Sequence, residues 1–287
     1  MSTTPLTDAI NALTQYANET TGASDTNLSD AVGTLVAGYG GGGGWTSDGI
    51  VTNAEPNGII TLGNSITTIS SYALYGKPIT QISGSGVTTI QTSALQDCRS
   101  LVSASFPNLT TIQNNGMQDV RALTSFYAPN LTRAEGNALR YWTSYTGAIK
   151  CPSLTYLGNC YGSAFSQIRF PSLTTLNGGD NFRNCGTVKV IDCGSVTSIP
   201  YESTFTGCNV LEVLILRRTN AITSLGRGSW GTGQKTLYDG TCKIYVPSAL
   251  VSTYISATSW SNLPHASTQF VALEGSPYEQ PDFEYNE

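Results

Sequence analysis

The sequence contains few charged residues and no cluster of positive charge. Charged residues make up 11% of the 287 residues, and the formal net charge is -5, whereas about 25% charged residues is typical of soluble domains. No run of Lys or Arg occurs, so the electrostatic footprint of a nucleic-acid-binding protein is missing. Ser, Thr, Gly and Asn take the place of charged residues. A surface rich in hydroxyl and amide groups is typical of extracellular and virion β-structures rather than of cytosolic enzymes.

Long apolar segments are also absent. No stretch approaches the roughly 20 apolar residues of a membrane span, so we expect no membrane insertion. Residues 1–20 lack the basic start and the apolar core of a secretory signal. Together these features predict a protein that is made in a host cytoplasm and released within a virion, with a bacterial cell surface as the alternative location.

Groups suited to catalysis or metal binding are scarce. The seven cysteines are widely spaced and include no C-x-x-C pair, which argues against a disulfide framework, a zinc site and a redox motif. The single histidine, His265, is not accompanied by a G-x-S-x-G nucleophile motif. Acidic residues do not recur in register, as a glycosidase pair within the repeats would require. The sequence predicts no enzyme activity, no catalytic residue, no metal site and no cofactor.

A four-residue pattern, apolar-Thr-x-apolar, recurs eight times and indicates a repeat architecture. It begins with Ile66–Ile69 and ends with Ile222–Leu225, and successive starts lie 19 to 26 residues apart. A unit of roughly 22 residues with one short strand cannot bury its own apolar face, so neighbouring units must share a core. The pattern predicts a mainly β protein, a parallel β-solenoid of about eight coils over residues 66–238, in which outward threonines form hydroxyl ladders.

A second element of the repeat alternates buried and outward positions. Ala104 and Phe106 lie two residues apart and are followed by Pro107. Period-two alternation indicates a strand with one buried face, and proline ends the strand because it cannot donate a ladder hydrogen bond. Cysteines that fill these slots are predicted to lie in the core as small hydrophobes. The equivalent pairs are Phe126/Ala128, Ile149/Cys151, Ile168/Phe170, Ile191/Cys193 and Leu214/Leu216.

Several segments resemble the BspA-like leucine-rich repeats. Their signature is an aromatic residue, two residues, Cys, two residues and Leu, and it is matched by Phe205, Cys208 and Leu211, in part by Phe182 and Cys185, and by Cys98 with Leu101. The run from Ile244 to Pro247, with Tyr254 and Trp260, resembles the C-terminal cap of such arrays. The resemblance covers about residues 60–273 and implies a leucine-rich-repeat solenoid that binds or adheres rather than one that catalyses a reaction.

The two ends of the chain follow other patterns. Residues 1–39 carry a plausible N-cap at Thr4, Pro5 at the first helical position and apolar residues at helical spacing, which predicts a short helical hairpin that anchors the protein. Gly40 to Gly44 form a hinge. We expect an N-terminal cap at residues 45–65, a C-terminal cap at 239–273, and an acidic tail at 274–287 that is either disordered or laid along a neighbour.

The first 40 residues also resemble the start of tail-associated proteins of gut phages. The similarity lies in Leu6-Thr-Asp-Ala-Ile10 and in the Gly38-Tyr39 pair that leads into the glycine run. This resemblance implies a phage virion protein that binds other virion proteins through residues 1–39.

The candidate ligand surface is the outward face of the predicted strands. Four outward positions between the buried slots carry aromatic and charged groups on a surface that is otherwise rich in small uncharged polar residues. These residues are Tyr127, Lys150, Arg169 and Asp192. Stacked aromatics beside amides suit a sugar or a protein loop. We expect these four residues to form a stripe that contacts ligand.

An aromatic cluster lies beside this stripe. Tyr141 and Tyr145 are further candidate ligand residues, and Trp142 is predicted to replace the slot cysteine in the core. The alternative, that the two tyrosines only cover the edges of the coils, remains open because amphipathic aromatics serve both roles.

These observations predict a non-catalytic, homo-oligomeric phage virion protein, similar to a tail fibre or adhesin. Its N-terminus would anchor to the particle, and its repeats would contact a host surface protein or glycan, where several weak sites gain from avidity. The alternatives are a bacterial cell-surface or secreted leucine-rich adhesin, and a structural decoration or head-fibre protein without a receptor.

Overall fold

The computed structural model describes residues 58–227, 232–258, 260 and 262–283. The predicted helical anchor at 1–39, the glycine hinge at 40–44 and most of the predicted N-terminal cap lie outside the described residues.

One set of strands runs along one side of the molecule, and all of its pairings are parallel. The register joins equivalent slots of successive coils, since Ala104 lies opposite Ile82 and Phe126, and Ile168 lies opposite Ile149 and Ile191. In the described residues this set forms two sheets. The first holds β1 (Ile59–Leu62), β3 (Gln81–Gly84), β5 (Ser103–Ser105) and β7 (Ser125–Tyr127); the second holds β9 (Ala148–Lys150), β11 (Gln167–Arg169), β13 (Val190–Asp192), β15 (Val213–Ile215), β17 (Lys243–Val246) and β18 (Phe270–Ala272).

A second set of short strands coincides with the apolar-Thr-x-apolar pattern. Thr88 Oγ1 donates to the carbonyl of Thr67, and Thr110 Oγ1 donates to the carbonyl of Thr88, each at 3.1 Å. The expected hydroxyl ladder therefore exists, and each hydroxyl in it bonds to the backbone of the preceding coil. The strands are β2 (Thr68–Ile69), β4 (Thr89–Ile90), β6 (Thr111–Ile112), β8 (Arg133–Ala134), β10 (Tyr156–Leu157) and β12 (Thr175–Leu176) in one sheet, with β14 (Ser198–Tyr201) and β16 (Ser224–Arg227) in another.

The core lies between the two sets of strands. The side chains of Phe106, Ile168, Phe170 and Leu214 have no exposed surface, and burial of such a side chain contributes about 1.5–3 kcal/mol. Each coil is shielded from water mainly by the coils on either side of it. The predicted mainly β, parallel leucine-rich-repeat solenoid is confirmed.

Turns close the third side of each coil, and the slot cysteines line their inner surface. Cys98 Sγ donates to the carbonyl of Leu74 at 3.0 Å. Ser163 Oγ makes the equivalent bond to the carbonyl of Leu139 at 2.9 Å, so Ser163 occupies the cysteine slot in the coil that contains Cys160. Cys160 itself occupies the aromatic position of the signature.

The C-terminal region extends the second sheet by two strands. The rings of Tyr254 and Trp260 pack on Phe270, with centroids 5.1 and 5.5 Å away, and Trp260 Nε1 donates to the carbonyl of Thr223 at 2.8 Å. Three short α-helices occur in the described chain: α1 (Lys235–Tyr238), α2 (Val251–Ser256) and α3 (Ala266–Gln269). No described helix is long and apolar enough to cross a membrane.

Residues 273–283, which we name the strap, lie across the outer face of the second sheet. Leu273 and Phe283 pack on Val190, Val213 and Ile215. The predicted acidic tail is therefore neither disordered nor laid along a neighbour over the part described, because its apolar residues cover an apolar sheet face of the same chain. The sequence indicates that this face is covered, because all three residues of β15 are apolar. Such a composition is typical of a strand that is buried on both faces.

We predict that the seven thiols of the native protein do not react with alkylating reagents. All seven are buried, and burial raises the pKa of Cys98 and of Cys151 to about 12. Because the thiolate is the reactive form, iodoacetamide at pH 8 should label none of them in the native protein and all seven in denaturant, as counted by mass spectrometry.

A Ser125→Cys variant supplies the control, because Ser125 is exposed on β7. Its added thiol should be labelled at once in the native protein. Rapid labelling of any wild-type cysteine would contradict the assignment of these residues to the core.

Phe283→Ala should destabilise the protein by about 1–3 kcal/mol, because Phe283 is 5% exposed and anchors the strap over the apolar sheet face. The free energy of unfolding from urea denaturation measures the loss, and increased binding of a hydrophobic dye would report the uncovered face. Tyr127→Ala is the matched control, since Tyr127 is 56% exposed and removal of its ring should change stability by less than about 0.5 kcal/mol. Equal losses in the two variants would mean that the strap does not stabilise the sheet.

Candidate functional site

The predicted stripe on the outer sheet face is exposed only in part. Tyr127 and Lys150 are exposed, on β7 and β9. These two strands are consecutive members of the first set of strands but belong to different sheets. The two side chains therefore flank a break in the strand array.

Arg169 and Asp192 do not lie at the surface, which corrects the expectation of an exposed stripe. They are 4% and 0% exposed, because the strap covers their part of the sheet. The guanidinium of Arg169 lies over the Phe283 ring, 4.1 Å from its centroid, and its Nη1 donates to the Phe283 carbonyl. Arg169 therefore holds the strap in place.

Asp192 forms a buried ion pair with Arg217 that also helps to hold the strap in place. Its carboxylate accepts hydrogen bonds from Arg217 Nε at 2.8 Å and from the Gly194 N–H at 2.9 Å. Burial raises the pKa of Asp192, although the hydrogen bond and charge of Arg217 oppose this shift. Arg217 also donates to the carbonyls of Tyr278 and Glu279, at 3.0 and 2.7 Å, so it links the ion pair to the strap.

Tyr145 lies in the core rather than at a ligand surface, which is a second correction. It is 9% exposed, and its ring packs on Phe165 and Trp142, with centroids 5.4 and 6.0 Å away. Its hydroxyl is hydrogen-bonded to the Phe126 backbone, at the break between β7 and β9. Trp142 has no exposed surface and donates from Nε1 to the Met117 carbonyl at 2.8 Å, so its prediction as a core residue is confirmed.

Tyr141 belongs to a different surface, which the turns of successive coils build. In each of these turns the residue just before the cysteine slot has a left-handed backbone. Its N–H donates to the carbonyl of the residue that precedes its counterpart in the next coil, as from Tyr141 to Tyr161 at 3.0 Å. These bonds align two columns, which together we name the turn face. The left-handed column is Gly76, Asp97, Asp119, Tyr141, Gly162, Asn184 and Gly207; the preceding column is Gln96, Gln118, Arg140, Tyr161, Arg183 and Thr206.

The backbone of Tyr141 is strained in a way that the other members of its column are not. Its φ is 60°, a region that glycine adopts freely and that Asn and Asp tolerate through local hydrogen bonds, whereas a bulky side chain there is an outlier. Every other member of the column is Gly, Asp or Asn. A residue that is costly for the turn itself points to a role for its side chain.

The ring of Tyr141 forms a clamp with Tyr161 around Arg140. The guanidinium carbon of Arg140 lies 4.6 Å from the centroid of each ring, and the two rings meet edge to face at 5.5 Å. Arg140 Nη2 donates to the Tyr141 hydroxyl at 3.0 Å. Cation–π contact with two rings fixes the orientation of the guanidinium.

Ion pairs continue the turn face on the N-terminal side of the clamp. Arg99 Nη2 donates to the carboxylates of Asp97 and Asp119, at 2.8 and 2.9 Å, and Arg121 Nε donates to Asp119 at 2.6 Å. Burial opposes ionisation of Asp97, yet its hydrogen bonds with Asp119, Arg99 and Tyr75 lower its pKa overall. Asp97 is thus held in ionised form beside Arg99.

Arg183 and Asn184 continue the turn face on the other side of the clamp. Asn184 Nδ2 donates to the Tyr161 hydroxyl at 2.9 Å, and Arg183 Nη1 lies 3.3 Å from Asp180. The buried Nε atoms of Arg140 and Arg183 have no acceptor among the described residues. The turn face therefore combines fixed tyrosine rings, amides and guanidinium groups whose hydrogen-bonding capacity is not fully used.

Sequence reasoning identified Tyr141 but missed Arg140 and Arg183. The signal was present, because both lie two residues before the cysteine slot, a position that recurs in every coil. Alignment of the repeats on that slot would have placed Arg140, Tyr161 and Arg183 in one column.

Side chains that could bind a metal ion are not clustered in the described part of the chain. The described residues contain no group of three or more His, Cys, Asp or Glu side chains arranged to hold a metal ion. His265 is exposed at the N-terminus of α3. The turn face is chemically suited to binding, through charge, hydrogen bonds and ring faces.

Three solved structures are partly similar to this chain, each with low identity. A leucine-rich repeat protein of T. pallidum is 17% identical, with 74% of this chain and 90% of that chain covered and a TM-score of 0.43. A leucine-rich cell surface protein of Faecalibacterium prausnitzii is 14% identical, with 71% and 73% covered and a TM-score of 0.42. A leucine-rich repeat protein of Bacteroides ovatus is 18% identical, with 74% and 71% covered and a TM-score of 0.42.

No curated protein matches the chain. A family model described as the BspA type leucine-rich repeat region, in six copies, matches residues 54–146 and 141–231. It describes a repeat region and indicates no enzymatic family. Because the match covers more than half of the chain, this protein belongs to the BspA-type leucine-rich repeat family.

Proposed function

We propose that this protein is a non-catalytic adhesin-type binding protein, and that its turn face contacts a partner on a bacterial or host surface. The observation that carries the proposal is the strained backbone of Tyr141, whose ring is held against the guanidinium of Arg140. Gly, Asn and Asp tolerate this conformation best, and every other member of the column is one of these three.

The chemistry of the turn face supports this assignment. Tyrosine and arginine dominate the energetics of binding surfaces because both combine a large contact area with hydrogen bonds. Ring contacts hold Arg140, and ion pairs hold Arg99 and Arg121. Side chains that are ordered before binding lose less conformational entropy in the complex.

The sheet face is a weaker candidate for the same role. The strap covers its second half, including Arg169 and Asp192. Tyr127 and Lys150 are still exposed and could extend a contact surface around the edge of the coils. We therefore assign them a secondary part in binding.

We base the proposed setting of this activity on the N-terminal sequence. The helical pattern of residues 1–39 and the glycines at 40–44 support an anchor on a phage particle, from which several copies would present their repeats to a host cell. The family is equally compatible with an adhesin on a bacterial surface. A decoration protein without a receptor is the third alternative, and the tyrosine–arginine surface argues against it.

A Tyr141→Asn variant should lose binding while keeping its stability. Asparagine occupies the same column position at Asn184, so relief of the left-handed strain should offset the lost ring contacts to within about 1 kcal/mol. Flow cytometry of fluorescently labelled full-length protein on a panel of bacterial strains measures binding, and thermal unfolding measures stability.

Tyr127→Asn provides the matched control, since it removes an exposed tyrosine from the sheet face instead. It should reduce cell binding much less than Tyr141→Asn. Full binding by the Tyr141 variant, or binding of the wild type to none of the strains, would reject the turn face as an adhesin surface.

Removal of residues 1–44 should abolish incorporation into particles and leave cell binding by the free protein intact. The reason is that the described residues begin after this segment, at residue 58, and include the proposed contact surface. Mass spectrometry of purified particles and of cell-envelope fractions measures incorporation. Recovery of the full-length chain only in envelopes would favour the bacterial adhesin over the virion protein.

A further inference from the structure

We propose that the turn face binds a carboxylate-bearing polysaccharide, with Arg140 as the anion contact and Tyr161 and Arg183 as the next contacts along the polymer. This inference rests on the proposed function and adds the chemical class of the ligand.

The charge of Arg140 has no counter-ion among the described residues. The other arginines in and beside the turn face each have a carboxylate partner, since Arg99 and Arg121 share Asp97 and Asp119, and Arg183 faces Asp180. The contacts of Arg140 are two tyrosine rings and one hydroxyl. It therefore presents a net positive charge at the centre of the surface.

The surroundings of Arg140 strengthen its attraction for an anion. The rings exclude water from one side of the guanidinium, and its Nε is buried without an acceptor among the described residues. A charge that is partly desolvated and lacks a counter-ion interacts more strongly with an approaching anion than a fully hydrated charge does. Carboxylates suit this site because their two oxygens match the parallel N–H groups of arginine.

The column arrangement favours a linear ligand that runs along the axis of the solenoid. Arg140, Tyr161 and Arg183 occupy one column in successive coils, and backbone hydrogen bonds between the coils hold it in register. Neighbouring strands lie about 4.8 Å apart, so the two arginines are separated by two such steps, roughly 10 Å. A polymer with acidic groups at regular intervals can contact both arginines and stack a sugar ring on Tyr161 between them.

The same surface fits an acidic protein partner less well. Protein interfaces usually contain a desolvated apolar centre, but the large aliphatic side chains that are exposed in the described residues, Ile59, Val102 and Val210, are not members of the turn face. The hydrogen-bonding groups around Arg140 are tyrosine hydroxyls, the amide of Asn184 and guanidinium N–H donors. Such groups match the hydroxyls and carboxylates of an acidic sugar.

The test measures binding of three polymers to the full-length protein by biolayer interferometry. They are polygalacturonate, its fully methyl-esterified form, which keeps the sugar chain but masks each carboxylate, and poly-L-glutamate. We expect the wild type to bind polygalacturonate and to bind the ester at least about tenfold more weakly, because the anion contact is lost. Poly-L-glutamate should bind no better than the ester.

Arg140→Gln should weaken polygalacturonate binding by at least about tenfold. Arg218→Gln is the matched control, because it removes the same charge from a residue whose contacts are Asn220 and backbone carbonyls, and it should leave the affinity unchanged. If Arg140→Gln lowers the melting temperature, Arg183→Gln provides the second variant, with an expected loss of about threefold.

Equal binding of polygalacturonate and its ester, stronger binding of poly-L-glutamate, or equal affinities of Arg140→Gln and Arg218→Gln would overturn the inference. The proposed function is judged separately by cell binding of the Tyr141 variant. If that variant loses cell binding while polygalacturonate fails to bind the wild type, the turn face is a binding surface for another ligand and the carboxylate assignment is wrong.

Discussion

The structure depends on the stacking of each coil against its neighbours in strict register. No coil has a core of its own, and residues such as Phe106 and Ile168 are removed from water only because equivalent residues lie above and below them. Polar groups follow the same rule, since threonine hydroxyls and slot thiols donate to carbonyls of the preceding coil. Stacking therefore supplies both the apolar contacts and the hydrogen bonds of the interior.

Stacking in register also converts a sequence repeat into surface columns. A residue type that occurs at one position of several coils becomes a line of side chains parallel to the axis, with a spacing that the backbone fixes. On the turn face this brings Arg140, Tyr161 and Arg183 into one column although they lie 21 and 22 residues apart in the sequence. Side chains on such columns keep a regular spacing because the backbone bonds beneath them are part of the fold.

The strap illustrates how the same sheet serves two purposes. The outer face of the sheet is polar and exposed near its N-terminal end. Over β13 and β15 the same face is apolar, and Val190, Val213 and Ile215 would contact water there if the strap were absent. Arg169 and Arg217 bind carbonyls of the strap, and Asp192 balances the charge of Arg217. Charged residues that resemble a ligand stripe in the sequence thus hold the C-terminal segment in place.

The sequence by itself determined the repeat, its length, the buried slots and the threonine ladders, because period-two and 22-residue periodicities reflect local burial that every coil must satisfy. It also determined that Trp142 replaces a core cysteine. Only the tertiary structure decided that Arg169 and Asp192 are covered and that Tyr145 fills a break in the strand array, since these outcomes depend on contacts with segments distant in sequence, such as Phe283. The clamp around Arg140 likewise depends on two adjacent coils and on a left-handed backbone at Tyr141, and no local pattern specifies how neighbouring side chains meet across that distance.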